Sequence, residues 1–315
     1  MPRFWKDALS TRRAMQRSPH MDMLRELTDE EVRQLQGCFL EIIKDVIEVC
    51  EKYHICYMAA GGTALGSVRH KGFIPWDDDV DLLMPREDLN RFVEIFDEAL
   101  SDRYEMTSPN SKYPLESMIS AIYKKNTRKT SFMDFNTPFP KGIHIDIFAI
   151  ESVPRNPVAR RIKGYCAMAI QFVAVSALFY HFRDPKKKEF FFQTPAGRFN
   201  YRLRMAVGFL SAFLPYTVWG NWFDRFVRCK KDTGLWAVPT DTGHYFGHIM
   251  PKDVYYPPVP GDFEDISINL PHNPDAYLTN QYGDYMTIPP VEDREKHWSV
   301  DFSLDLAADQ AKEQP

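Results

Sequence analysis

Neither common nucleotide-phosphate loop occurs in this chain, which has no Gly-x-Gly-x-x-Gly run and no Gly-Lys followed by Ser or Thr. A dinucleotide-binding or P-loop reading therefore has no motif to rest on. Cysteine is scarce: Cys38, Cys50, Cys56, Cys166 and Cys229 are odd in number and scattered. That excludes a disulfide-stapled scaffold and predicts reduced thiols in a cytoplasmic protein. His20, His144, His248, His272 and His297 do not fall at zinc spacing with those cysteines or with one another. There is no internal repeat, no low-complexity tract, and no Ser-His-Asp or Cys-His set that residue order alone identifies. Charge of one sign is missing as well, with 39 Lys and Arg against 43 Asp and Glu. Such a balance gives no general attraction to nucleic acid, and no nucleic-acid partner is expected.

What is present is concentrated between Gly61 and Pro85, GGTALGSVRHKGFIPWDDDVDLLMP. If Val80, Leu82 and Leu83 lie on a strand, Asp79 and Asp81 share one face while Val80 and Leu82 point into the core. Two carboxylates side by side repel unless a cation or a proton lies between them. Hard divalent ions take oxygen ligands and leave positions for substrate phosphates, so the pattern predicts Mg2+ (or Mn2+) and phosphoryl chemistry before zinc chemistry. The plain alternative is a solvated acidic turn. A second fragment, KGIHIDIFAI, puts His144, Asp146 and Phe148 on one face and Ile143, Ile145 and Ile147 on the other, a buried strand with a single acid. An ionised Asp there needs a pairing charge or a metal. Brought beside Asp79 and Asp81, Asp146 would complete a metal site.

Gly61 and Gly62, reached through the strand-like HICYMAA, would let backbone approach a phosphate closely. Arg69 is a candidate for bidentate phosphate contact and Lys71 a weaker one that could equally be solvated. Lys124, Lys125, Arg128 and Lys129 follow a further strand in SMISAIYKKNTRKTSF, as a phosphate-seeking cluster or an ordinary basic turn.

The segments AAGGTALGSVRHKGFIPWDDDVDLLMPREDLNRF, GIHIDIF and YLTNQYGDYMTIPP together resemble the LicD family of phosphocholine and related phospho-sugar transferases, relatives of the fukutin-related proteins. That family is similar to the nucleotidyltransferase superfold, in which a helix ending in Gly-Gly or Gly-Ser precedes Asp-x-Asp on one strand and a third Asp on a neighbour. The resemblance carries these roles to Gly61, Gly62, Asp79, Asp81 and Asp146, with Thr63 in the same donor-binding turn. It implies a CDP-activated donor, CDP-choline first and CDP-ribitol or CDP-glycerol as alternatives, and a glycan or lipid-linked sugar acceptor. It further implies that the tail closes the site, making Tyr282, Asp284 and Tyr285 candidates for head-group or acceptor contact. A choline cage could draw on Trp76, Tyr282, Tyr285 and Trp298. A nucleotidyltransferase proper, consuming NTP, and a non-catalytic glycan- or membrane-associated scaffold are the other classes left open.

Around this centre, TDEEVRQLQGCFLEIIKDVIEVCEKY predicts a helix with a Thr28/Glu31 capping box and an apolar stripe from Leu35 to Val49. PREDLNRFVEIFDEALSD predicts a second, packing through Leu89, Phe92, Val93, Phe96 and Leu100. The basic opening MPRFWKDALSTRRAMQRSPHM lacks the apolar core of a signal peptide and reads as a solvated arm. The middle third differs: Tyr165 to Phe182 carries no formal charge, and a second apolar stretch runs from Met205 to Trp222. A buried helix, an interfacial helix and a true span are all compatible with the first. Cytoplasmic localisation is expected, with peripheral contact at the inner face of the membrane as the alternative. The expected fold is α/β (α+β), a small mixed nucleotidyltransferase-like sheet with flanking helices and a helical middle insertion. The expected division is a basic arm over 1–27, a catalytic core over 28–150, an apolar helical insertion over 151–240 and a closing C-terminal part over 241–315.

Overall fold

The computed structural model describes residues 21–291, 294 and 299–313. His20, His297, Trp298 and most of the basic arm lie outside the described residues. The chain enters through α1, Asp29–Lys52, whose first turn is fixed by the predicted capping box. Thr28 Oγ1 accepts from the Glu31 N–H, while the Glu31 carboxylate accepts from the Thr28 N–H. Leu35, Phe39, Ile42, Ile43, Val46, Ile47 and Val49 are all buried. At helical spacing, these apolar residues drive the helix onto the sheet, each side chain contributing about 1.5–3 kcal/mol of burial.

The strands are β1 (Met58–Ala59), β2 (Asp81–Pro85), β3 (Tyr104–Thr107), β4 (Ser120–Lys124), β5 (Arg128–Ser131), β6 (His144–Ser152), β7 (Leu235–Ala237), β8 (Met250–Pro251), β9 (Val259–Phe263), β10 (Ile266–Leu270) and β11 (Ser299–Ser303). The central mixed sheet runs β1-β2-β6-β4-β3, and β7 adds to the far end of β6 and pairs with β8. Only β2 and β6 within it are parallel. Two further ribbons stand apart, β9 with β10 and β5 with β11. Phe263, Ile268 and Leu270 of the first ribbon are buried in the main core.

Two helices join the early strands: α2 (Gly61–His70) between β1 and β2, and α3 (Arg86–Ala99) directly after β2. The glycine pair thus begins a helix, where the superfold pattern ends one on it. The segment GGTALGSVRH is helical because Thr63, Ala64, Leu65, Gly66 and Ser67 are buried against neighbouring elements. It stops where Lys71 turns left-handed, at φ 62°.

The middle of the chain is an all-helical lobe of α4 (Pro157–His181), α5 (Pro185–Phe192), α6 (Pro195–Ser211) and α7 (Tyr216–Val227). Asn156, Asp184 and Thr194 cap the first three, each followed by Pro at the first helical position. By length and composition α4 could cross a membrane, with one third of its most apolar window (33%) buried in the protein. The Met205–Trp222 stretch is not one helix, since Ala212 caps α6 and Pro215 restarts the chain as α7. Core and lobe are joined by a buried ion network. Arg86 at the start of α3 bonds Glu151 at 2.6 Å and Asp224 of α7 at 2.8 Å. Arg228 closes on the same Asp224 at 2.5 Å. Near the C-terminus, α8 (Pro274–Tyr282) returns to lie against α2.

Candidate active site

The parallel pairing of β2 with β6 sets Asp81 directly opposite Asp146. In-register residues on neighbouring strands point to one face about 4.8 Å apart, so the two carboxylates stand side by side. Across the next strand the partner of Asp146 is Ala121, whose small side chain leaves the space beside the acids open. Strand β2 begins at Asp81, and Asp79 lies in the preceding extended segment. Val80 still joins the ladder, its carbonyl accepting from Asp146 N–H at 3.0 Å, and it is buried while Asp79 is exposed. The alternation predicted for this stretch therefore holds, and Asp79 bears electrostatically on both partners.

Burial raises the Asp81 carboxyl well above its usual range, and Asp79, Asp146, Asp241 and Asp77 add to the effect. Asp146 is pushed up to about 7 by burial and by Asp79, with Lys129 pulling the other way and Asp134 adding to the rise. Lys129 is engaged with Asp78, Nζ to Oδ2 at 3.0 Å. Crowded acids of this kind are unstable as bare anions and call for a cation or a proton.

The backbone of Asp81 is held from two sides. Its N–H donates to Thr63 Oγ1 at 3.0 Å and its carbonyl accepts from Ala60 N–H at 2.9 Å. Thr63 is only 4% exposed, so its hydroxyl serves the acid strand from inside α2. Gly61 adopts φ +46°, and a Cβ there would lie 3.3 Å from Asp81 Oδ2 and 3.5 Å from the Tyr282 hydroxyl. At Gly62 an added Cβ would come within 2.6 Å of Asp77 Oδ2. Both glycines thus admit the acids to the helix N-terminus, where backbone N–H groups favour anions such as phosphates.

Helix α8 supplies the opposite wall. Tyr277 is fully buried and its hydroxyl accepts from the Gly61 N–H at 3.2 Å. Tyr282 is 46% exposed as a whole residue. Its phenol is nonetheless raised by burial, then by Tyr277, Asp81, Asp77 and Asp241. Gln281 Nε2 lies 3.2 Å from both Asp241 Oδ2 and His248 Nδ1. Asp241, Tyr277, Gln281 and His248 were not among the residues marked from sequence. Asp241 sits in the polar turn VPTDTG with no periodicity to single it out.

The other predicted residues separate. Arg69 Nη1 donates to the carbonyls of Tyr285 at 2.8 Å and Thr287 at 3.4 Å, so the guanidinium secures the C-terminal segment. Lys71 lies 3.7 Å from Asp262 on the surface. The basic turn after β4 is divided among local partners: Lys124 with Glu41, Lys125 with the Ser101 carbonyl, Arg128 with Asp301 and Lys129 with Asp78. Among the described residues, Trp76, Tyr282 and Tyr285 are not assembled as a cage. The Trp76 face is covered by the Arg294 guanidinium at 3.7 Å, and the Tyr285 hydroxyl donates to Asp275 at 2.9 Å. Asp284 is exposed and accepts from Thr287 Oγ1 at 2.7 Å. Of the described members of that group, Tyr282 borders Asp81 and Gly61.

Residues 54–161, which contain the glycine pair and all three acids, match the family model described as the LicD/FKTN/FKRP nucleotidyltransferase domain. The chain is 28% identical over 271 residues to the lipopolysaccharide cholinephosphotransferase LicD of Haemophilus influenzae, an alignment covering 84% of this chain and 95% of that protein. Shorter stretches match uncharacterized proteins of two Rickettsia species. Identity is 44% over 55 residues in Rickettsia typhi, covering 18% of each chain. In Rickettsia prowazekii it is 40% over 68 residues, covering 20% of this chain and 26% of the other. The acid strand pair stands inside the matched domain, so residues 54–161 carry the nucleotidyltransferase domain of the LicD/FKTN/FKRP family, and the Haemophilus relative aligns with this chain almost end to end.

Proposed function

We propose that this protein transfers phosphocholine from CDP-choline to a hydroxyl of a cell-surface glycan, such as lipopolysaccharide, or of its lipid-linked precursor, with CMP as leaving group. The observation that carries the reading is the in-register Asp81–Asp146 pair beside a glycine-led helix N-terminus. The head group follows from the name of the Haemophilus relative.

Among the described residues no group of three His, Cys, Asp or Glu side chains is preset to hold a metal ion. The donor set still suits Mg2+ (or Mn2+), which is commonly held by one or two carboxylates and completed by substrate phosphates. Asp79, Asp81 and Asp146 are the residues that would hold it, and the ion would supply neutralisation of charge at the pyrophosphate. The protein's own part is to seat the donor. Gly61 and Gly62 let the pyrophosphate approach the first turn of α2, and Thr63 keeps Asp81 in place. Tyr282, bordering the acids, is positioned for the head group or the acceptor. The acceptor oxygen forms a bond to the phosphorus of phosphocholine as the bond from that phosphorus to the CMP oxygen breaks. A carboxylate oxygen of Asp146 not engaged by the ion would take the hydroxyl proton.

The test is CMP release from CDP-choline, CDP-ribitol and CDP-glycerol, each with Mg2+ and with EDTA, against a cell-envelope glycan extract. Metal-dependent release from CDP-choline supports the reading. Release from another of the three moves the head group, and silence from all three with folded protein points to an NTP-using nucleotidyltransferase.

A further inference from the structure

The helical lobe from Arg155 to Lys231 holds fifteen Lys and Arg against three acids, Asp184, Glu189 and Asp224, although the whole chain has net charge −4. Charge is thus segregated, and Asp224 is neutralised internally by Arg86 and Arg228. At the corner joining α6 to α7, Phe209, Leu210, Phe213, Val218 and Trp222 are 65, 72, 74, 43 and 49% exposed. Of these, Phe213 and Trp222 both meet the Trp219 ring, at 5.8 Å and 5.6 Å. Phe209 lies 6.2 Å from the Tyr180 ring, over which the Arg183 guanidinium stands at 4.6 Å, so a cation rims the apolar cap. Isolated exposed apolar residues are ordinary, but a contiguous aromatic cap on a basic lobe marks a binding surface.

Charge decides what covers it. A second copy of the same corner would bring like charge to the contact, and a polyanion in water would leave the apolar cap without a partner. An anionic bilayer matches both features, offering headgroup charge to the basic flanks and an acyl boundary to the cap. We infer that the α6–α7 corner docks on an anionic phospholipid surface, with Leu210 and Phe213 entering at headgroup depth. Helix α4 connects this corner to the site: α6 packs along it, and its Gln171 Oε1 lies 3.0 Å from His244 Nδ1, just beyond Asp241. Docking would hold the acids near a lipid-linked acceptor. That last relation rests on the proposed reaction; the docking itself does not.

The test is co-sedimentation of the full chain with phosphatidylglycerol/phosphatidylcholine vesicles, and with phosphatidylcholine alone, at low and high salt. Binding to the anionic vesicles that weakens with salt is expected. The Leu210→Ser/Phe213→Ser variant should bind at least tenfold more weakly while its melting temperature and its CMP release with a soluble acceptor stay unchanged. Arg183→Gln should weaken anionic binding and leave the residual phosphatidylcholine binding alone. Absence of vesicle binding, or equal binding by the serine variant, overturns the inference. So does a wild-type dimer that the serine pair abolishes while vesicle binding persists, which assigns the corner to a second copy. Vesicle binding and melting temperature read out without the reaction, so the docking and the reaction can each fail or stand separately.

Discussion

Asp81 and Asp146 are neighbours across the single parallel pairing of the central sheet, two half-buried acids on one face with a third, Asp79, bearing on both. The fold works against its own charges here, and does so where backbone contacts from Thr63, Ala60 and Val80 leave the strand little freedom to move them apart. Strain of that kind persists where a ligand relieves it.

Removing one of the charges should therefore improve the fold and end the chemistry. Asp81→Asn or Asp146→Asn is expected to raise the melting temperature of the metal-free protein at pH 8 by about 2–6 °C, since roughly 1 kcal/mol corresponds to a few degrees in a chain of this size. The same variants should lose at least about three orders of magnitude in CMP release, the scale of losing a group that acts on transition-state charge. Calorimetry in EDTA beside a CMP assay reads both. An acid that merely anchored the sheet would give a lower melting temperature, and that outcome removes Asp81 and Asp146 from the site.

The Asp146 carboxyl, raised to about 7, fixes the sign of a pH effect. In the unfolded chain it would titrate near 3.9, so its neutral form is the one the fold favours. The stability this contributes is full below about pH 4 and is lost as pH rises through about 7. Mg2+ requires the ionised forms of Asp146 and of Asp81, which is raised as well, so its affinity should climb with pH across this range by about tenfold or more per unit below 7. Calorimetric Mg2+ titrations between pH 5.5 and 8.5 check this. A flat profile would show that Asp146 is already ionised without the metal.

The glycine pair should respond unequally. Gly61→Ala places a side chain on a residue with φ +46° and against both Asp81 and Tyr282, whereas Gly62→Ala meets only Asp77 Oδ2, the end of a side chain. The first is expected to cost about 1 kcal/mol of stability from the backbone alone, with most of the CMP release lost. For the second we expect a raised KM for the CDP donor and a melting temperature within about 2 °C of wild type. Steady-state kinetics and thermal melts on the pair separate the two effects.

These positions show how far the sequence reached. The alternation in DDDVDLLMP and HIDIF identifies the acid face because a period of two is visible in a single chain, and Thr28 with Glu31 announces α1 for the same local reason. Parallel pairing of β2 with β6 leaves no local mark, since the two strands are separated by α3 and three intervening strands, so the opposition of Asp81 and Asp146 was an expectation until the register gave it. GGTALGSVRH has the composition of a loop and becomes a helix through burial of Thr63 to Ser67, a tertiary effect that propensity does not hold. Asp241 and Tyr277 reach the site from distant segments with no spacing relation to the acids, and the cations read as phosphate ligands turn out to be tied to carboxylates and carbonyls that local sequence does not reveal.

The Thr63 hydroxyl accepts from the Asp81 N–H inside the protein. Thr63→Val keeps the volume and removes that acceptor, leaving a buried N–H unmatched at a cost of about 1–3 kcal/mol. Asp81 is then free to shift, so kcat should fall by about tenfold or more, a displacement of an ångström being enough for losses on that scale. The KM for the CDP donor should stay near the wild-type value, because the hydroxyl touches the strand and not the phosphates. Thr63→Ser restores the acceptor and should recover both stability and kcat. A Thr63→Val enzyme whose KM rises while kcat holds would mean that the hydroxyl binds the donor directly, and Thr63 would belong to the donor-binding turn.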